Sequence, residues 1–238
     1  MLVLFPFEKT FYGQYGVHAD YVGHPLVDKH AAHLPPIAKS LDPANCTLGL
    51  LPGSRRQEVL YLLPRMLQCA RQLYASQKIH RVQIVKVKNL PDGFYIQGLQ
   101  PADSFVEIVE EPLAQCLPRY DAAIVASGTA TLETAYFGVP QLIVYHVNPL
   151  TYWLGRALIK VKYIGLANIV AEKEVAPELI QHAFTPDKAS QIIAGMLNAD
   201  RNRQIRDDLQ IIREKLGQPG ASQRAATIIR EYLYADKR

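Results

Sequence analysis

"VASGTATLE" runs from Val125 to Glu133 and closes the longer stretch "YDAAIVA", Tyr120–Ala126. A continuous apolar run, then Ser-Gly-Thr, then a helical pattern is the signature of a buried strand turning into a helix through a small, polar loop. Such a junction exposes backbone N–H groups at the positive end of a helix dipole, where an anion can sit. The same chemistry also simply turns a corner and caps a helix. The rest of the chain decides between these readings.

Working outward, the same grammar recurs. Apolar strands are expected at "CTLGLLPG" (46–53), "RVQIVKV" (81–87), "FVEIV" (105–109), "AAIVA" (122–126) and "QLIVYHV" (141–147). Between them fall helices from Ser54 to Ser76, Pro112 to Arg119, "TATLETAYF" (129–137) and Pro149 to Lys160, with "YIGLANI" (163–169) following. A helical tail in three pieces closes the chain: Asp187–Leu197, Arg201–Leu216 and Ala221–Tyr234. Unbroken apolar strands alternating with helices specify an α/β fold, a Rossmann-like parallel sheet with helices on both faces. No G-x-G-x-x-G opens it, so the dinucleotide fingerprint is excluded. Before this regular region, Val3–Phe5 reads as a strand, "EKTFYGQYG" (8–16) as a short helix, Ala19–Val22 as a strand and "GHPLVDKHAAHLPP" (23–36) as a connector. Pro35-Pro36 marks a boundary or hinge.

Composition sets bounds. The 238 residues are 49% hydrophobic and 20% charged, enough for a real core. A net charge of +4 suits nucleotides, phosphorylated substrates or anionic headgroups but is too mild to argue for nucleic acid. Cys46, Cys69 and Cys116 lie in or beside apolar runs and read as buried free thiols of a reducing compartment. His30 and His33 share a helical spacing without an acidic or Cys partner, so no metal is expected. No run approaches the ~20 apolar residues of a membrane span. "MLVLFPF" is too short in its apolar part to be a signal peptide. A cytoplasmic protein is expected.

In a doubly wound sheet, ligands bind beyond the carboxyl ends of the strands. Two loops there have unusual chemistry. In "LLPGSRRQEV" (50–59), Gly53 permits a tight turn, and Ser54 with Gln57 has the spacing of a capping box. Arg55 and Arg56 then add positive charge to a helix start, which the dipole disfavours unless an anion lies between them. The second loop is the opening one, where Ser127, Gly128 and Thr129 offer two hydroxyls and a bare backbone. Glu133 lies about one turn deeper on nearly the same face, where a carboxylate can accept hydrogen bonds from ribose hydroxyls.

Five blocks, "LFPFEKTFY", "YVGHPLVD", "LLPGSRRQEV", "ASGTATLE" and "GLANIVAEKEVAPELIQ", occur in the order and spacing of lipid-A-disaccharide synthases, which the chain resembles over essentially its whole length. The resemblance implies a two-domain GT-B fold. It implies an inverting transfer of diacylglucosamine from UDP-diacylglucosamine to lipid X, forming the lipid A disaccharide precursor. Ser127, Gly128 and Thr129 would line the UDP diphosphate, Glu133 would hold the ribose, and Arg55 would lie near the phosphates beside Gly53 and Ser54. Asn168 matches the asparagine of the family's "PN" block, although Ala167 replaces the proline and "AEKEV" the usual "AGREV". Gln181 would approach the donor or a second protomer of a homodimer, or equally serve as a helix-facing structural glutamine.

In that frame residues 1–24 correspond to the end of an acceptor domain and the crossover, and 25–238 to the UDP-sugar donor-binding domain with its helical tail. The family's general base precedes the "PFE" block, so no catalytic base is assigned here. No cofactor or metal is expected beyond the UDP-sugar substrate. "NPLTYWLGRALIKVKYIG" (148–165) mixes Tyr152, Trp153 and Leu154 with Arg156, Lys160 and Lys162. That composition fits peripheral contact with the cytoplasmic face of the inner membrane, and equally a helix packed on the sheet with a basic edge. Two alternatives remain: another UDP-sugar GT-B enzyme, such as a peptidoglycan glycosyltransferase or a UDP-GlcNAc epimerase, and a truncated non-catalytic nucleotide-binding module.

Overall fold

The computed structural model describes residues 1–35, 39–147 and 162–235. The chain forms two compact units, Pro36–Gln210 and a smaller one built from Met1–Pro35 with Ile211–Arg238. Pro35-Pro36 falls at the division. That is the boundary or hinge the sequence offers there; the family frame divides the chain at 24–25 and gives the whole helical tail to the donor domain, whereas here Ile211–Arg238 clusters with Met1–Pro35.

The larger unit is a six-stranded parallel sheet of β3 (Thr47–Leu51), β4 (Arg81–Val85), β5 (Val106–Val109), β6 (Ala122–Ala126), β7 (Gln141–Tyr145) and β8 (Glu178–Ile180). Its order is β5-β4-β3-β6-β7-β8. All residues of β3 and β6 are buried, as strands covered on both faces must be. Leu51 pairs with Val125, so these two central strands end side by side. At Gly49 a side chain would strike the ring of Tyr120, so glycine lets that buried aromatic lie flat on the strand.

From β3 the chain winds outward to β5, then returns to β6 on the other flank of β3. Right-handed crossovers then put α3 (Arg56–Ala75) and α6 (Thr129–Tyr136) on opposite faces and open a crevice where the order reverses. Helix α3 buries Val59, Leu62, Leu63, Met66, Leu67, Ala70 and Leu73, the three-and-four spacing of one apolar stripe. It packs against α8 (Pro186–Met196), and α6 packs against α7 (Leu166–Ala171). Short helices α4 (Gly93–Ile96) and α5 (Leu113–Cys116) fill the β4–β5 and β5–β6 connections. Strand β8 and helix α4 are too short for periodicity to reveal them. The expected helix from Pro149 to Lys160 and the aromatic–basic group Tyr152, Trp153, Leu154, Arg156 and Lys160 lie outside the described residues. Lys162 is described and exposed, with its ammonium 5.1 Å from the centroid of the Tyr163 ring.

A buried polar knot closes the opposite end of the sheet. Asp121 accepts from the Thr47 N–H at 2.8 Å and pairs with Lys39 at 2.9 Å. Arg206, on α9 (Ala199–Asp208), is 3% exposed and donates to Asn202 Oδ1, the Gly138 carbonyl and the Tyr120 carbonyl. All three guanidinium nitrogens thereby have an acceptor.

The smaller unit holds a two-stranded parallel sheet of β1 (Leu2–Val3) and β2 (Asp20–Tyr21), with α1 (Pro6–Gly13), α2 (Pro25–His30), α10 (Gln210–Leu216) and α11 (Ala221–Ala235). Strand β1 ends before Phe5 because Pro6 starts α1 and Glu8 accepts the N–H groups of Leu4 and Phe5 at 2.9 Å each. The stretch read as a connector contains α2: His24 caps it through Nδ1, and Pro25 supplies the preset first position. Asp28 accepts from the N–H groups of Gly220, Ala221 and Ser222, which ties α2 to the start of α11. Phe11, Tyr15, Ile229, Tyr232 and Leu233 of this unit are exposed.

Candidate functional site

Because β3 and β6 are neighbours, the loops that follow them emerge together at the crevice. In the first loop Gly53 has φ of 101°, and a Cβ there would run into the Glu58 side chain. The loop needs glycine on both counts. Glu58 reaches back to accept the Ser54 N–H at 3.2 Å, the Arg55 N–H at 3.3 Å and the Arg55 guanidinium at 2.8 Å. This corrects the expected Ser54–Gln57 capping box: α3 starts one turn position later, with Arg55 as its N-cap, and the capping carboxylate is Glu58. Arg55 has 81% of its side chain exposed, whereas Arg56 lies over the Phe94 ring at 5.1 Å.

The second loop starts α6. The Ser127 N–H continues the sheet by donating to the Val144 carbonyl at 2.8 Å, and its hydroxyl donates to the Ile164 carbonyl at 3.2 Å. Thr131 caps the first turn through the Gly128 carbonyl at 2.8 Å. The N–H groups of Gly128, Thr129 and Ala130 have no acceptor among the described residues. A Cβ on Gly128 would meet nothing within 4 Å, so the backbone here faces open space. These donors gather at the N-terminus of a helix, the geometry that attracts phosphate.

Gly53, Ser54, Arg55, Ser127, Gly128 and Thr129 line one cavity of about 660 Å³. Its remaining wall comes from the ends of β4 and β5, including Val85, Lys86, Val87, Lys88, Glu110 and Leu113. Lys86 sits between Asp92 and Glu110, 2.5 Å from each carboxylate, and these contacts raise its pKa and keep it charged. The Val87 N–H donates to the hydroxyl of buried Tyr95 at 3.2 Å, which holds this wall in place. Sequence reasoning missed this half. The "KVK" at 86–88 and "EEP" at 110–112 were readable as the other two strand-to-helix loops of the same sheet edge.

Three expected residues do not line the cavity. Glu133 lies one turn into α6, half-buried. Asn168 is fully buried and spends its amide inside the chain, donating to the Ala176 carbonyl and Glu178 and accepting the N–H groups of Val175 and Ala176. Gln181 clamps both backbone groups of Val147, at 3.1 and 2.9 Å. Next to it His146 stacks on Tyr61 with ring centroids 3.1 Å apart, and burial, then Arg65 and His182, lower the His146 pKa.

A parallel sheet reversed between β3 and β6, with two glycine-bearing loop–helix junctions at the reversal, defines the doubly wound, Rossmann-like class of α/β fold. Solved structures share it. An S. aureus MnaA–UDP co-structure superposes with a TM-score of 0.59 at 15% identity, covering 94% of this chain and 57% of that one. WaaG, a glycosyltransferase involved in lipopolysaccharide biosynthesis, gives 0.55 at 12% identity, covering 96% of this chain and 62% of that one. At these identities the likeness is one of fold. Within that class, the chain belongs to the lipid-A-disaccharide synthetase family, whose model matches residues 1–232. It is 42% identical to a lipid-A-disaccharide synthase of Syntrophus aciditrophicus over 241 positions, covering 96% of this chain and 61% of the relative. A Geobacter sulfurreducens counterpart is 38% identical, with 98% and 62% covered. The chain thus spans about three fifths of the length of these relatives. Among the described residues no helix is long and apolar enough to cross a membrane.

Proposed function

We propose that this chain binds the UDP portion of UDP-diacylglucosamine in the switch-point cavity and supplies the donor half of the transfer to lipid X. The observation that carries the reading is the convergence of two helix N-termini on one cavity, with the N–H groups of Gly128, Thr129 and Ala130 free to receive a diphosphate. Arg55, exposed at the other helix start with its guanidinium 2.8 Å from Glu58, adds positive charge. As the glycosidic bond to UDP breaks, negative charge grows on the leaving diphosphate, and these fixed dipoles and the guanidinium would meet it without reorganising. In this reading no metal is required, Glu133, one turn into α6 beyond the cavity lining, would take the ribose hydroxyls, and Asn168 and Gln181 act by holding their own segments in place. No described residue is assigned as the base that deprotonates the acceptor hydroxyl. Lipid X, a homodimeric partner and the cytoplasmic face of the inner membrane belong to the same proposal.

Calorimetric titration of wild type and Glu133→Ala with UDP tests it, with ADP as the control nucleotide. UDP-selective binding that weakens in Glu133→Ala is expected. Equal binding of UDP and ADP, or an unaffected variant, would contradict the assigned donor site.

A further inference from the structure

Glu178 opens β8, outside the cavity, yet its carboxylate is fully engaged. Oε2 accepts the Ile164 N–H at 2.9 Å, while Oε1 accepts the Gly165 N–H at 2.9 Å and the Asn168 amide at 2.8 Å. Asn168 in turn fixes Val175 and Ala176, just ahead of β8. A Cβ on Gly165 would collide with Ile143 and come within 3.1 Å of Glu178 Oε1, so the turn is pressed against β7 and β8.

The Gly165 N–H and the Ile164 carbonyl belong to one peptide unit. In a trans peptide the two groups point in opposite directions, so fixing the N–H aims the C=O. That carbonyl accepts the Ser127 hydroxyl at 3.2 Å. A carboxylate on the N–H end also polarises the peptide and strengthens the bond its oxygen accepts. Ser127 immediately precedes the free N–H groups of the α6 start.

We propose that Glu178 is a positioning residue for the diphosphate loop, acting through the Ile164–Gly165 peptide on the hydroxyl of Ser127. The inference rests on the UDP reading above. With Glu178 in place, the Ser127 side chain is locked to the turn and the backbone at Gly128–Ala130 is held for phosphate. With Glu178→Gln, one of the two backbone N–H groups faces an amide NH₂, the carboxylate charge that polarises the Ile164–Gly165 peptide is gone, and the Ser127 anchor is weakened.

The test is a double-mutant cycle on the full chain, with UDP and uridine as ligands. Glu178→Gln should raise the UDP dissociation constant by about threefold to tenfold, the worth of one hydrogen bond, and leave uridine affinity unchanged. In a Ser127→Ala background the same change should add almost nothing. A merely structural role would instead lower the melting temperature and weaken both ligands alike. Unaltered UDP binding by folded Glu178→Gln, or full additivity with Ser127→Ala, overturns the proposal. Should Glu178→Gln not fold, Glu178→Asp, which keeps the charge on a shorter stem, is put through the same cycle under the same criteria. Wild type that binds no UDP refutes the functional reading itself, whereas wild type that binds while the variants behave additively refutes this inference alone.

Discussion

Gly53→Ala tests how the first loop is built. At φ of 101° an alanine is outside its allowed regions, which costs about 1–3 kcal/mol. Its methyl would also displace Glu58, which accepts two backbone N–H groups at the start of α3. Losing those bonds adds about 0.5–1.5 kcal/mol each, so the total is about 2–6 kcal/mol. For a unit of this size the melting midpoint should fall by about 4–24 °C. Adding Glu58→Ala removes the obstacle, so Gly53→Ala made in that background should cost only the backbone strain. As a control, Gly195 lies in α8 with nothing within 4 Å of a built Cβ. Gly195→Ala should therefore stabilise by about 0.5–1 kcal/mol. Denaturant melts of these variants decide the matter. A Gly53→Ala protein as stable as wild type would refute the reasoning, and equal cost with and without Glu58 would refute the part concerning that carboxylate.

Asp28 has its pKa lowered to about 2 by the backbone N–H groups of Ser222, Gly220 and Ala221. Its folded pKa lies below its unfolded one, so its contribution is present above about pH 4 and lost as pH falls through about 2. Acid melts of Asp28→Asn should lack that component and give a flatter profile in this window. Arg206→Ala leaves the Gly138 and Tyr120 carbonyls without their buried donor, and should cost about 2–6 kcal/mol by denaturant unfolding, about 1–3 for each carbonyl left unsatisfied. The cysteines are buried, and desolvation pushes Cys46 to about 11 and Cys69 to about 12. A thiol reagent at pH 8 should label neither in the folded chain and both after unfolding.

The parts of the fold readable from sequence were those where one physical demand dominates. Strands buried on both faces must be apolar throughout, so "AAIVA" and "TLGLL" declared themselves, and with them the two junctions of the cavity. What escaped depended on tertiary partners. Glu58 caps α3 from within the helix because Gly53 brings the loop down onto it, a relation that local spacing does not reveal. Helix α2 hid because His24 is a rare cap and the helix spans only 25–30. The three residues of β8 carry no period, yet they place Glu178 under the Ile164–Gly165 turn. Asn168 was expected at the ligand, but its burial and four internal hydrogen bonds put it one layer behind.

The central claim is that the free N–H groups at the start of α6 receive a diphosphate. Amide spectra of the full chain titrated with UDP and with uridine test it most directly. The account predicts saturable shifts at Gly128, Thr129 and Ala130 with UDP that uridine does not produce. Saturable UDP binding that leaves those three amides unmoved, or no UDP binding by the folded chain, would contradict it.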